Sequence, residues 1–112
     1  MNTGRRFSAQ VTHLDGSAVL RVTGELDLAS APRLQTTVDD LVTEHLRALT
    51  IDMSDLGFVD IIGLRALAAA GRTTAEMNVQ YRLIGVSESV LRIIRLAEFH
   101  ELERACETAP TG

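Results

Sequence analysis

The stretch LTIDMSDLGFVDIIGLRAL, from Leu49 to Leu67, contains the change from strand to helix that decides the fold. The run Ala48 to Met53 is short and mostly apolar, which is typical of a buried strand. The letters SDLGF then predict a turn, and Asp60 is placed where a helix would begin. Two branched hydrocarbon side chains, Ile61 and Ile62, follow at once. Their position in the first helical turn, where polar groups are common, is the main question that the sequence raises.

Toward the C-terminus, the pattern predicts one more strand and two more helices. The helix that starts at Asp60 should end near Thr74, and the run Val79 to Gly85 predicts a strand. Ser87 is a suitable N-cap for a third helix. Apolar residues at helical spacing predict a short final helix, namely Phe99, Leu102 and Ala105.

Toward the N-terminus, the pattern predicts a hairpin followed by a helix. Alternation over Phe7 to Val11 predicts a strand, and Asp15-Gly16 is a strong hairpin signal. The second strand is predicted over Ala18 to Gly24. Ser30 is a candidate N-cap, and apolar residues at helical spacing continue to about Leu46.

The predicted order is therefore β-β-α-β-α-β-α. Strand–helix–strand units favour parallel pairing, and the opening hairpin adds an antiparallel strand. We expect an α/β fold in which helices pack against a small mixed sheet of four strands. A chain of 112 residues fits one domain, residues 1–112, ordered over about 5–106 with a flexible C-terminal tail.

Composition excludes several classes of partner. The net charge is −4, all basic residues are arginine, and they form no basic stripe. This argues against nucleic acid or an anionic membrane as a partner. No apolar run approaches the ~20 residues of a membrane span. Because the N-terminus lacks an apolar signal region and Cys106 is the single cysteine, we expect a cytoplasmic protein.

The helical wheel places the two isoleucines away from the predicted core. With 100° per residue, Arg65 falls about 40° from Ile61, and Ile62 falls at about 100°. One interpretation is that the preceding loop covers both side chains, as entering chain often does at a first turn. The other is an exposed apolar patch, which usually marks a surface for a protein partner.

The chain resembles a known family at this point. The segments GELDLASAP, Gly24 to Pro32, and LTIDMSDLGFVDIIGLRAL are similar to two signature regions of the STAS domain, found in bacterial anti-sigma factor antagonists and sulfate transporters. The segment RLIGVSESVLRIIRLAEF resembles the last strand and third helix of the family. The resemblance implies the fold derived above. It also implies binding to an anti-sigma factor of the kinase-like ATPase family.

The chain departs from the family pattern at the residue whose phosphorylation switches a typical member. That pattern has an aspartate, a serine, a serine or threonine, a glycine and an aliphatic residue. Asp60 and Gly63 match it, but Ile61 stands where the resemblance places the phosphorylated serine, and Ile62 takes the next hydroxyl position. Isoleucine has no hydroxyl, so we expect no phosphorylation at residue 61. Ser54 is the alternative candidate phosphosite, although a serine in a turn usually serves the turn.

The sequence offers little for catalysis or metal binding. Asp52, Asp55 and Asp60 could together hold Mg²⁺, but strand-end and N-cap roles explain them as well. The histidines lack metal-ligand spacing, and no nucleophile–base pair is evident. We therefore expect no enzyme activity, metal or cofactor.

The favoured function is a bacterial protein-interaction module that binds an anti-sigma factor and so regulates a sigma factor. Its expected partner-binding residues are those of the two signature regions: Asp27, Ser54, Asp60, Ile61, Ile62, Gly63 and Arg65. The resemblance places the loop that contains Asp27 beside the start of the second helix. The alternative is a STAS domain that senses a small ligand, a nucleotide or a lipid, or that serves a transporter. The oligomeric state is left open.

Overall fold

A computed structural model describes residues 6–42 and 45–106 of the chain. The elements follow the predicted order, with α4 as the short final helix. They are β1 Ser8–Leu14, β2 Ser17–Leu26, α1 Ala31–Val42, β3 Ala48–Val59, α2 Ile61–Glu76, β4 Gln80–Ile84, α3 Glu88–Leu96 and α4 His100–Ala105. The tail predicted to be flexible, 107–112, lies outside the described residues.

The four strands form one mixed sheet in the order β1-β2-β3-β4. β1 pairs with β2 in antiparallel register, with Leu14 opposite Ser17 across the predicted Asp15-Gly16 turn. β2 pairs in parallel with β3, and β3 in parallel with β4. The predicted fold class is therefore confirmed.

The helices and one face of the sheet enclose the core. In β2 every second residue is buried from Ala18 to Leu26, while Arg21 lies exposed on the other face. α1 and α2 pack against each other, and α4 packs against α2 and β4. The fully buried side chains come from all of these layers, for example Leu20, Leu34, Ile51, Leu64 and Leu102. These buried side chains together hold α2 against the sheet.

The third strand is longer than the sequence pattern predicts. SDLGF was expected to form a turn, but β3 continues through it to Val59 and pairs with β2 as far as Leu26. The pairing includes two register shifts, and Gly57 has no partner residue on β2. Such bulges break the two-residue alternation on which strand prediction depends. The prediction of a turn at 54–58 was therefore wrong.

The first helix begins directly after Ser30, as predicted, but it is shorter than predicted. It ends at Val42, and His45 has a left-handed φ of 62°, so the helix does not reach Leu46. Residues 43–44 lie outside the described part of the chain. The hydroxyl of Ser30 donates to the Glu25 carbonyl at 2.7 Å and accepts from the Asp27 amide at 3.0 Å. Ser30 therefore stabilises the turn before α1.

Candidate protein-interaction surface

The first turn of α2 is fixed by its predicted cap. Asp60 has an extended backbone, and its Oδ1 accepts a hydrogen bond from the Gly63 amide at 2.9 Å. The Asp60 amide donates to the carbonyl of Leu26 at 3.3 Å. One residue thus satisfies a free amide of α2 and ties the helix start to the end of β2.

Gly63 allows α2 to lie directly against β2. A Cβ atom at this position would lie 2.3 Å from the Leu26 carbonyl oxygen and 2.7 Å from Cγ2 of Val59. Both distances are shorter than any real contact of a methyl group, so no larger side chain fits without moving the helix. Gly63 is buried and therefore positions this surface from beneath it.

The loop between β2 and α1 lies beside this helix start, as the sequence analysis predicted. Asp27 Oδ1 accepts hydrogen bonds from the amides of Ala29, at 3.1 Å, and Ser30, at 3.2 Å. The preceding residue, Leu26, provides the carbonyl that Asp60 and Gly63 contact. Asp27 therefore holds its own loop in shape next to the start of α2.

Several apolar side chains are exposed at the carboxyl ends of β2 and β3. Ile61 is 39% exposed, and Ile62 is half-buried beside it in the first turn of α2. Leu28 is 74% exposed and Phe58 is 50% exposed. We call these four residues the apical patch. The loop does not cover Ile61, so the exposed interpretation of that residue is confirmed.

The sequence analysis did not single out Leu28 and Phe58. Both were assigned to loops, where an apolar residue is expected to fold inward as often as outward. An apolar residue among polar neighbours in the loop ELDLAS was the available signal for Leu28. For Phe58 that signal depended on knowing that β3 continues past Met53.

Arg65 adds a positive charge one turn above Ile61. It is exposed and makes no ion pair with residues 6–42 or 45–106. Asp60, half-buried below it, uses one carboxylate oxygen for the cap. The surface at the start of α2 thus combines apolar area with one accessible cation.

Ser54 does not join this surface. It lies six residues before Asp60 along an extended strand, a separation of up to about 20 Å. Its hydroxyl donates to Asp52 Oδ1 at 2.6 Å, and its amide donates to the same oxygen at 3.0 Å. These two hydrogen bonds, the hydroxyl one first, lower the pKa of the Asp52 carboxyl below its usual value.

The three aspartates considered for Mg²⁺ have separate roles. Asp52 accepts from Ser54, Asp55 pairs with the Arg21 guanidinium, and Asp60 caps α2. Within the described ranges, no three His, Cys, Asp or Glu side chains are grouped so that they could hold a metal ion. Across those same ranges, every helix is too short or too polar to cross a membrane.

Comparison with known proteins gives similar results from sequence and from structure. Residues 8–111 match the family model of the STAS domain. The chain is 29% identical over 96 residues to the anti-sigma-F factor antagonist RsfB of Mycobacterium tuberculosis, covering 86% of this chain and 78% of that protein.

Solved structures of similar fold include two antagonists. A crystal structure of an anti-sigma factor antagonist from Mycobacterium paratuberculosis superposes with a TM-score of 0.75 at 27% identity, covering 86% of this chain and 81% of that one. The Bacillus cell fate determinant SpoIIAA, in its phosphorylated form, superposes with a TM-score of 0.71. It is 16% identical, with 92% of each chain covered, so it supports the fold alone. Because the family model spans nearly the whole sequence, the chain belongs to the STAS domain family.

Proposed function

We propose that this protein is an anti-sigma factor antagonist that binds an anti-sigma factor through the apical patch and the start of α2. The observation that carries the proposal is Ile61, which is exposed directly after the Asp60 cap. The mycobacterial relatives are named as antagonists, and they cover most of the chain. Binding the anti-sigma factor would release a sigma factor and so change transcription indirectly.

The partner that we propose is an anti-sigma factor of the kinase-like ATPase class in the bacterial cytoplasm. In the family pattern, such a kinase phosphorylates the first turn of α2 and thereby ends binding. A phosphate adds almost two negative charges to a surface that must lose its water on docking. Ile61 cannot accept a phosphate, so a kinase cannot end binding by phosphorylating this residue.

Apolar burial favours this arrangement energetically. Covering a branched side chain of this size is worth about 1.5–3 kcal/mol of transfer free energy when it is fully exposed beforehand. Ile61 is only partly exposed, so its share is smaller, and association costs reduce the net gain further. Leu28 and Phe58 expose a larger fraction of their surface and would add to it.

The experiment is to incubate the purified protein with its candidate anti-sigma factor and ATP, and then to measure both intact mass and affinity. We expect no added phosphate and the same affinity after incubation with ATP as with a non-hydrolysable ATP analogue. A stoichiometric phosphate on Ser54 or Ser87, together with loss of binding, would show that the switch has moved to another residue. Failure to bind any anti-sigma factor would contradict the proposed function.

The alternative, a small-ligand sensor, can be distinguished by calorimetry with ATP and GTP. The hollows between α2 and α4 have volumes of about 310 and 420 Å³, at the lower end for small-molecule sites. Arg72 and Arg104 line both of them. We expect no binding in the micromolar range, and such binding would favour the alternative.

A further inference from the structure

The outer part of β3 has an edge without a neighbouring strand. β4 pairs with β3 only from Ala48 to Asp52, opposite Gln80 to Ile84. β3 then continues to Val59 with β2 on its other side. Within the described chain, Asp55, Leu56 and Phe58 are therefore paired with β2 alone. An unpaired edge presents backbone donors and acceptors that can pair with an added strand.

The chain leaves the sheet abruptly at this point. Gly85 follows the last residue of β4 and has a left-handed φ of 71°. A Cβ atom on Gly85 would lie 2.4 Å from Oγ of Ser54 and 2.6 Å from its amide nitrogen. The turn is thus pressed against β3 at Ser54, and the chain then enters α3 at Glu88.

A groove of about 270 Å³ separates that edge from α3. Its apolar lining comes from Leu56 and Phe58 of β3 and from Val90 and Ile93 of α3. No charged side chain lines it, and its polar lining consists of serine hydroxyls and backbone. A strand edge facing a helix across an apolar groove is the geometry that an extended peptide requires.

We propose that an extended, apolar segment of the anti-sigma factor binds in this groove as an added strand along residues 55–58. This inference rests on the proposed function, because it assigns the segment to the same partner. Phe58 belongs both to the groove and to the apical patch, so one partner can cover the two surfaces together.

Charge determines which segment fits. The ionised Asp52 holds the Ser54 hydroxyl at the edge of the groove, and Glu88 begins α3 beside Ser87. Acidic residues in the incoming strand would be repelled and would have to lose water in an uncharged groove. The segment should therefore alternate apolar residues with neutral or basic ones, and its backbone should supply the hydrogen bonds.

The test compares amide exchange in the ¹⁵N-labelled full chain, free and bound to the purified anti-sigma factor. An added strand should protect the amides of residues 55–58 that point to the free edge by about tenfold or more, because it gives them hydrogen-bond acceptors. Nuclear Overhauser contacts between the two backbones should accompany the protection. If these amides stay unprotected in the complex while Ile61→Asp still weakens binding, the groove is not the binding site. The proposed function would then still stand.

Two variants of α3 provide a matched pair. Ile93 lines the groove and is 40% exposed, whereas Leu96 is 76% exposed and lies outside its lining. We expect Ile93→Glu to weaken binding by about tenfold or more and Leu96→Glu by less than about threefold. Equal effects of the two variants would contradict the groove as the binding site. If Ile61→Asp, Ile93→Glu and wild type all bind equally, both surfaces are wrong although the partner is bound. If none of the three binds an anti-sigma factor, the proposed function itself fails.

Discussion

Two helices of this protein begin with the same type of capping hydrogen bond, but the first turn of one is polar and that of the other is apolar. Asp60 caps α2 by accepting from the Gly63 amide, and Ser87 caps α3 by accepting from the Val90 amide. In each case the third helical residue donates. The first turn of α3 is polar, with Glu88 at its start, whereas α2 begins with two isoleucines.

The comparison indicates that the cap serves the fold in both helices, and the function that we propose depends on the residues after it. In the family pattern, the phosphorylation switch uses the residue after the cap and not the cap itself. Here that residue is Ile61, and the cap is intact. The fold is therefore retained while the proposed surface has lost the hydroxyl that the switch requires.

The third helical position provides the sharpest contrast. α3 has Val90 there, and α2 has Gly63 with the Leu26 carbonyl against it. We expect Gly63→Ala to lower the free energy of unfolding by about 1–3 kcal/mol, since the added methyl overpacks the junction of α2 and β2. Urea unfolding measures this change. Gly57→Ala is the matched control, because its Cβ would lie 3.5 Å from the Gly24 carbonyl and needs no movement. Equal effects of the two substitutions would contradict the close approach.

Removing the cap should cost more stability at the start of α2 than at the start of α3. Each loss costs about 0.5–2 kcal/mol of stability, and Asp60→Ala should lie near the upper end. Asp60 is half-buried at the sheet, whereas Ser87 is exposed, so Ser87→Ala should lie near the lower end. Thermal unfolding of both variants measures the difference. A larger loss for Ser87→Ala would show that α2 is held by packing and not by its cap.

The smallest expected effect concerns Asp52, whose carboxylate accepts two hydrogen bonds from Ser54. Its lowered pKa means that the ionised form stabilises the fold above the ordinary pKa, and that this stability is lost as the pH falls through the folded value. Ser54→Ala removes the largest contribution, so the pKa of Asp52 should rise toward its usual value. Stability should then depend less on pH below about pH 4. Carbon-13 titration of the carboxyl group measures the shift, and Ser89→Ala, which should leave it unchanged, is the control.

Elements with undisturbed local signals could be predicted from sequence, and those shaped by tertiary pairing could not. Asp60 and Ser87 are local caps, and both were predicted correctly. The outer half of β3 follows a bulged path that exists only because β2 lies beside it. Its residues 54–58 read as a turn, since a bulge places a glycine and polar residues inside a strand.

The candidate surface likewise has parts that the sequence predicted and parts that depend on tertiary structure. The family pattern located the start of α2 and predicted that the Asp27 loop lies beside it, which the Asp60–Leu26 hydrogen bond confirms. The exposure of Phe58 depends on how far β3 extends, so no local pattern indicates it, whereas Leu28 had the weak local signal of polar neighbours. The separation of Ser54 from the helix start likewise follows from the unexpected length of β3.

The central claim is that Ile61 is a docking residue and not part of the core. An acidic residue in the first turn suits the helix dipole, so Ile61→Asp should melt within a few degrees of wild type. Calorimetric titration with the anti-sigma factor should show binding weakened by about tenfold or more, because the change removes apolar contact and introduces a charge to be desolvated. Leu96→Asp, exposed on α3, should bind as wild type does. Unchanged affinity in a folded Ile61→Asp variant, or unfolding of that variant, would contradict the account.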